Sequence, residues 1–112
     1  MLLVDSSHYA LMNSDVVALF LDVCPTLPAG VLIGIHDIFL PDDYPWCLGG
    51  RWYSEQYMLA AWLLGPGAQP KVVLATHFTA TEPNLRADLD AAWGRAGLGA
   101  ILAYGSSFWI ET

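Results

Sequence analysis

Two apolar segments of this sequence, residues 1–4 and 31–35, are each followed directly by acidic residues and histidine. Imidazole and carboxylate side chains can take a proton from a substrate, orient it, or bind a divalent metal ion. Four residues that follow the two segments carry such side chains: Asp5, His8, His36 and Asp37. They are the first candidates for a functional site, provided that the fold brings the two segments together.

The two apolar segments are typical of strands that are buried on both faces, as in a parallel sheet covered by helices. Polar residues that follow parallel strands lie at the carboxyl edge of the sheet, where open α/β folds bind their ligands. The sequence therefore predicts two neighbouring strands whose polar ends form a site. Because adjacent residues of a strand point to opposite faces, His36 and Asp37 can both face one ligand only if the strand ends before them.

The elements that connect and follow these strands are indicated by capping residues and by the spacing of apolar residues. They are a helix capped at Asn13 or Ser14, a helix over residues 55–64, a strand over residues 71–78, a helix capped by Thr81 and ending at Gly97, and a last strand over residues 106–111. This order, β-α-β-α-β-α-β, predicts an α/β fold with right-handed crossovers and a mostly parallel sheet, in a single domain over residues 1–112. We expect the last strand to be antiparallel and to lie at or near an edge.

The composition indicates an apolar surface that something else covers. Of the 112 residues, 55% are hydrophobic and only 13% are charged, although a domain of this size leaves much of its surface in contact with water. A contact between copies of the chain in a homo-oligomer would cover such a face, and so would additional sequence outside this chain.

The charge and the apolar runs exclude two classes of partner. The net charge is −7 with only four Lys and Arg residues, whereas a nucleic-acid backbone demands clustered cations. The longest apolar run, residues 57–65, is far below the roughly 18 to 20 residues that span a bilayer, and the first residues do not form a signal peptide. We therefore expect a cytoplasmic protein without a membrane partner, in which Cys24 and Cys47 are buried free thiols.

Several separated segments resemble, in their order along the chain, a class I S-adenosylmethionine-dependent methyltransferase. The similar group is the small-molecule methyltransferase family whose fourth strand ends in Asp-x-x-His and whose fifth ends in His-Asp. The segments that carry this resemblance are Asp5-Ser6-Ser7-His8, Ser14-Asp15-Val16, residues 27–31, residues 36–45, Arg51-Trp52, Glu55-Gln56-Tyr57 and residues 105–109. The resemblance implies a Rossmann-like half-sheet that corresponds to the carboxyl-terminal half of the fold, and methyl transfer from S-adenosylmethionine to a small-molecule acceptor.

The same resemblance implies a role for individual residues. His8 or His36 would deprotonate the acceptor, and Asp37 would help to orient it. Asp5 and Ser6 would contact S-adenosylmethionine. Asp5 and Asp37 would alternatively hold a divalent metal ion that orients a substrate oxygen. The expected contacts to the small-molecule substrate are Asp42, Asp43, Tyr44, Glu55, Gln56 and Tyr57.

The same residues are also consistent with roles that need neither substrate nor cofactor. The strand-end residues could form a purely structural, hydrogen-bonded rim, and the dipole of a helix favours Glu55 in its first turn whatever the function. The Gly-rich loop and the acidic strand end that hold the cofactor in the family have no counterpart in this sequence. Three interpretations follow: a methyltransferase without its amino-terminal half, a non-catalytic remnant that binds partners or its own copies, and a His/Asp metal-dependent hydrolase.

Overall fold

The computed structural model describes all 112 residues and contains one four-stranded sheet. Its strands are β1 (Leu2–Val4), β2 (Leu32–Ile35), β3 (Lys71–Ala75) and β4 (Phe108–Glu111), in the spatial order β1-β2-β4-β3. The strands β1 and β2 are parallel, whereas β4 is antiparallel to both of its neighbours. The carboxyl ends of β1, β2 and β3 therefore lie at one edge of the sheet, together with the beginning of β4.

This sheet confirms the predicted α/β class. Three strands, β1, β2 and β3, run in the same direction and the last strand is antiparallel, as predicted, although only β1 and β2 are parallel neighbours. The last strand lies next to the edge strand β3, inside the sheet, where Phe108 is paired with both Ile35 and Ala75. An interior place suits β4, because Phe108 and Ile110 are both buried in the core.

The helices are α1 (Asp15–Ala18), α2 (Glu55–Leu64), α3 (Thr76–Thr81) and α4 (Pro83–Arg95). The chain of α1 continues as a π-helical turn over Leu19–Val23 and a 3-10 turn over Cys24–Thr26, and a further 3-10 turn covers Trp46–Arg51. The hydroxyl of Ser14 accepts a hydrogen bond from the backbone N–H of Val17, which is the predicted cap of the first helix. None of the helices combines the length and the apolar character that crossing a bilayer requires.

The third strand is shorter than predicted. It ends before Thr76, whose backbone N–H and hydroxyl both donate to the carbonyl oxygen of Ser107, at 3.0 and 2.8 Å. The chain turns there into α3, so His77 lies on a short helix instead of at a strand end. The cap of the last helix is Glu82 rather than Thr81, because the Glu82 carboxylate accepts hydrogen bonds from two backbone N–H groups of the first turn.

The core lies between one face of the sheet and the helical segments α1, with the turns that follow it, and α2. Its buried members are Val16, Leu19, Phe20, Cys24, Ile33, Ile35, Ile38, Leu59, Phe108 and Ile110. Burial raises the pKa of the Cys24 thiol. Cys47 is also a free thiol, but the prediction that it is buried is wrong, because it lies exposed on a 3-10 turn. The two outer strands expose apolar side chains, including Leu3 on β1 and Val73 on β3.

Candidate functional site

The parallel pairing of β1 with β2 brings together the four residues that follow these strands. Asp5 Oδ1 lies 3.5 Å from His8 Nε2 and 3.6 Å from His36 Nδ1. Asp37 completes the group, with Oδ2 at 3.8 Å from His8 Nε2 and Oδ1 at 3.3 Å from His36 Nδ1. Because β2 ends at Ile35, the side chains of His36 and Asp37 do not have to point to opposite faces as they would in a strand, and both reach this group. We call these four residues the edge cluster.

His8 is the buried member of the edge cluster. Its backbone has a φ of 62°, a left-handed conformation that residues other than glycine seldom adopt. The carbonyl oxygen of His8 accepts hydrogen bonds from the backbone N–H groups of Ser54 and Glu55, at 2.8 and 3.2 Å. The ring of Tyr53 lies against the imidazole, with 4.5 Å between ring centroids. The backbone of His8 is therefore held by the start of α2, and its imidazole packs against Tyr53 with Nε2 towards Asp5.

The carboxylate of Glu55 holds the other nitrogen of that ring. Glu55 is the first residue of α2 and its side chain is fully buried. Its Oε2 lies 2.8 Å from His8 Nδ1 and also accepts a hydrogen bond of 2.8 Å from the hydroxyl of Ser6. Its Oε1 has no hydrogen-bond partner. A carboxylate loses its hydration on burial at a high cost, so these two contacts are its only direct compensation.

Asp37 is positioned from the last strand. The hydroxyl of Ser106, just before β4, donates a hydrogen bond of 2.9 Å to Asp37 Oδ1, and the Ser106 carbonyl accepts one of 2.6 Å from the backbone N–H of Ile38. Sequence reasoning missed Ser106 as a site residue, and it also missed Tyr53. The signal for Ser106 is its place before a strand that enters the sheet at the carboxyl edge, but this signal requires knowing that β4 lies beside β2.

Hydrogen bonds made by Gln56 hold the loop over residues 39–44, which follows the edge cluster. The backbone N–H of Phe39 donates to Gln56 Oε1 at 3.0 Å, and Gln56 Nε2 donates to the carbonyl oxygen of Asp42 at 3.3 Å. The Gln56 N–H in turn donates to the hydroxyl of Tyr44 at 3.0 Å. Burial raises the pKa of Tyr44 to about 12. Gln56 is itself buried, so it reaches a ligand only through the loop that it holds.

The remaining residues expected at the substrate lie on the surface of this loop and of α2. Asp43 accepts a hydrogen bond from the hydroxyl of Tyr57, which lowers the pKa of the Asp43 carboxyl and raises the pKa of the Tyr57 phenol. Asp42 contacts His77, with Oδ2 at 2.9 Å from Nε2. Glu55 lies on the same helix as Tyr57 but faces inward to His8. Of the six residues expected to contact the substrate, Glu55 and Gln56 are therefore buried, whereas Asp42, Asp43 and Tyr57 are exposed and Tyr44 is half-buried.

The edge cluster has the donor set of a transition-metal site. One ligand atom each from Asp5, His8 and His36 lies within 4.8 Å of the others. Two imidazole nitrogens with a carboxylate favour Zn²⁺, Mn²⁺ or Fe²⁺ over Mg²⁺, which prefers oxygen ligands and water. A histidine that binds a metal commonly donates its other ring N–H to a carboxylate, and Glu55 occupies that place beside His8. The donors therefore fit a divalent metal ion of this kind.

Comparison of the chain with models of protein families, with curated proteins and with solved structures finds no match. The geometry of the edge cluster and the resemblance of the sequence segments that form it are therefore the basis for assigning a function.

Proposed function

We propose that this chain provides the acceptor side of a methyltransferase that uses S-adenosylmethionine to methylate a hydroxyl group of a small molecule. The observation that carries the proposal is the meeting of Asp5, His8, His36 and Asp37 at the carboxyl edge of β1 and β2. The resemblance implies that the methyl acceptor binds at this edge. The resemblance also implies that the first two strands are adjacent, and β1 and β2 are paired in parallel.

In this proposal Nε2 of His8 is the base. With Nδ1 held by Glu55, Nε2 faces Asp5 and Asp37, between which an acceptor hydroxyl can be oriented. S-adenosylmethionine, when bound, supplies an electrophilic methyl group. The part of this chain would be to hold the acceptor hydroxyl between Asp5 and Asp37 and to take up its proton at Nε2 of His8, while the thioether would leave with the electron pair of the S–CH₃ bond. Holding the acceptor in line contributes most of the rate, and base assistance contributes about 10²- to 10⁴-fold.

The residues present fit only a part of S-adenosylmethionine. Ser6, expected to contact it, uses its hydroxyl on Glu55. The side chain of Asp5 is 78% exposed and is the available cofactor contact at the edge. The proposal therefore includes an amino-terminal half that brings the Gly-rich loop and packs beside β1, where Leu3 is 65% exposed. An in-frame Gly-rich strand-loop-helix segment in the gene upstream of the Met1 codon would support it.

Two other functions compete with this proposal, each on a specific observation. A partner-binding or self-associating module is favoured by the apolar side chains exposed on the outer strands, such as Leu3 and Val72. A metal-dependent reaction, hydrolysis included, is favoured by the donor set of Asp5, His8 and His36. A bound metal would occupy Nε2 of His8, so in that case the metal would orient the substrate oxygen and His8 would not be the base.

Calorimetry with S-adenosylmethionine tests the proposal on this chain joined to the amino-terminal half that the proposal includes. We expect saturable binding at up to millimolar ligand, weakened at least several-fold by Asp5→Asn and unchanged by Asp22→Asn, which removes an exposed carboxylate on the turn after α1. No detectable heat from the joined protein would end the methyltransferase proposal, whereas no heat from this chain alone would remove only its independent methyltransferase activity. Light scattering then measures whether the chain associates with its own copies, as the self-associating module would. Metal analysis of chelator-free protein measures whether a metal ion is bound, as the metal-dependent reaction requires.

A further inference from the structure

We infer that Glu55 is a positioning residue, which fixes the tautomer of His8 so that Nε2 is the proton-accepting atom of the site. The inference rests on the proposed function for what Nε2 does. The tautomer itself can be measured without any reaction.

The burial of Glu55 has a cause beyond its place in the helix. Its side chain has no exposed surface, and acidic side chains are almost never fully buried unless they are paired. The helix dipole accounts for an acidic residue in the first turn of α2, but it would favour the carboxylate equally on the exposed side of that turn. The dipole does not explain why this carboxylate points inward onto an imidazole.

The direction of the hydrogen bonds determines which nitrogen of His8 carries the proton. An ionised carboxylate only accepts hydrogen bonds. Because Glu55 Oε2 lies 2.8 Å from His8 Nδ1, an ionised Glu55 requires the hydrogen on that nitrogen, and in a neutral imidazole Nε2 then carries the lone pair. The hydroxyl of Ser6 donates to the same oxygen, which strengthens its role as the acceptor. The charged groups that face Nε2 are Asp5 and Asp37.

The Glu55 carboxylate is not needed to attach the chain around His8 to the start of α2. The backbone of residues 8–10 already makes that connection. The N–H groups of Ser54 and Glu55 donate to the His8 carbonyl oxygen, and Ala10 N–H donates to the hydroxyl of Ser54 at 2.9 Å. The carboxylate therefore adds control of the imidazole ring, which these other contacts do not supply.

Nitrogen-15 NMR of the imidazole rings tests the inference, because protonated and unprotonated ring nitrogens have distinct shifts. The chain has three histidines, and His8→Gln identifies the signals of His8. In the wild-type protein at a pH where His8 is neutral, we expect protonated Nδ1 and unprotonated Nε2. In Glu55→Ala we expect the Nδ1–H form to fall to a minority, with the amide spectrum showing a folded chain.

The chain offers a matched control in a second histidine–carboxylate pair. Asp42→Asn removes the charge opposite His77 Nε2, and it should change the His77 signals while those of His8 stay as in the wild type. If Glu55→Ala does not fold, the wild-type spectrum decides alone: unprotonated Nδ1 on His8 overturns the inference. Retention of the Nδ1–H form in folded Glu55→Ala also overturns it.

The outcome is independent of methyl transfer. An Nδ1–H tautomer that depends on Glu55, in a protein that does not bind S-adenosylmethionine, would support the positioning role and end the proposed function. Binding of S-adenosylmethionine by a protein whose His8 has the opposite tautomer would keep the proposed function and overturn the positioning role.

Discussion

The hydroxyl of Ser106 donates a hydrogen bond of 2.9 Å to Oδ1 of Asp37, a residue 69 positions earlier in the sequence. This bond joins the last segment of the chain to the end of β2. Asp37 has a φ of 53°, so its backbone conformation is an unfavourable one that its surroundings must maintain. The final strand therefore helps to shape the edge cluster, in addition to its place in the sheet.

We predict that Ser106→Ala destabilises the protein by about 0.5–1.5 kcal/mol, the usual net value of one intramolecular hydrogen bond. It should also loosen Asp37, which makes a substrate bind more weakly. Urea denaturation measures the first effect. As a control, Thr81→Ala removes an exposed helix hydroxyl that bonds only to backbone carbonyls, and it should change the free energy of unfolding by less than about 0.5 kcal/mol. Equal effects of the two substitutions would contradict the prediction.

Much of the fold is predictable from local signals. The apolar runs identify β1 and β2, and Ser54 with Gly65 marks both ends of α2. These signals succeed because burial and helix termination are set by residues that are close in sequence. The end of β3 is different, because Thr76 turns away to bond with Ser107, 31 residues later.

The candidate site divides in the same way. The sequence predicts the residues at the ends of β1 and β2, since parallel strands place their carboxyl ends together. It does not predict that Glu55 faces His8, since 47 residues separate them and the helix dipole alone explains an acid in that position. It likewise gives no reason to place Ser106 at the site until β4 is known to lie beside β2.

Substitution of the proposed base should reduce the rate of methyl transfer more than it reduces binding. We predict that His8→Gln lowers kcat about 10²- to 10⁴-fold, with a change in KM of only a few-fold, because the proton is transferred in the transition state. Transfer of a labelled methyl group from S-adenosylmethionine measures both constants, in a protein that joins this chain to the proposed amino-terminal half. His77→Gln, outside the edge cluster, should leave kcat within about two-fold. A loss confined to KM would show that His8 binds the acceptor without acting as its base.

A divalent transition metal should stabilise the protein through the edge cluster. Zn²⁺ or Mn²⁺ at 100 times its dissociation constant would add about 2.7 kcal/mol to the free energy of unfolding and raise Tm. The effect should disappear in His36→Ala, which removes one of the three donors, and persist in His77→Ala. Thermal unfolding with and without a chelator measures it. A rise in Tm that survives His36→Ala would place the metal elsewhere.

Removal of the Gln56 amide should release the loop over residues 39–44. In Gln56→Leu the buried N–H of Phe39 loses its acceptor, and leaving such a group unsatisfied costs about 1–3 kcal/mol. Hydrogen exchange should accelerate in residues 39–44 more than in β2. Tyr57→Phe is the matched surface variant, because it removes only the exposed bond to Asp43. Exchange that rises equally throughout the chain would indicate general destabilisation instead of a local release of residues 39–44.

The half-buried phenol of Tyr44 should make the protein less stable at high pH. Burial raises its pKa to about 12 in the folded protein, against about 10 in the unfolded chain. The unfolded state therefore loses this proton first. The contribution of Tyr44 is fully present below about pH 10 and disappears as the pH rises from about 10 to 12.

Tyr44→Phe tests this pH dependence by urea denaturation at several pH values. The variant should be less stable than the wild type at pH 8, because Gln56 N–H loses its acceptor, but its stability should fall less between pH 10 and 12. Tyr104→Phe, at an exposed tyrosine, should keep the wild-type slope over that range. A slope in Tyr44→Phe as steep as in the wild type would mean that the Tyr44 phenol does not titrate differently in the two states.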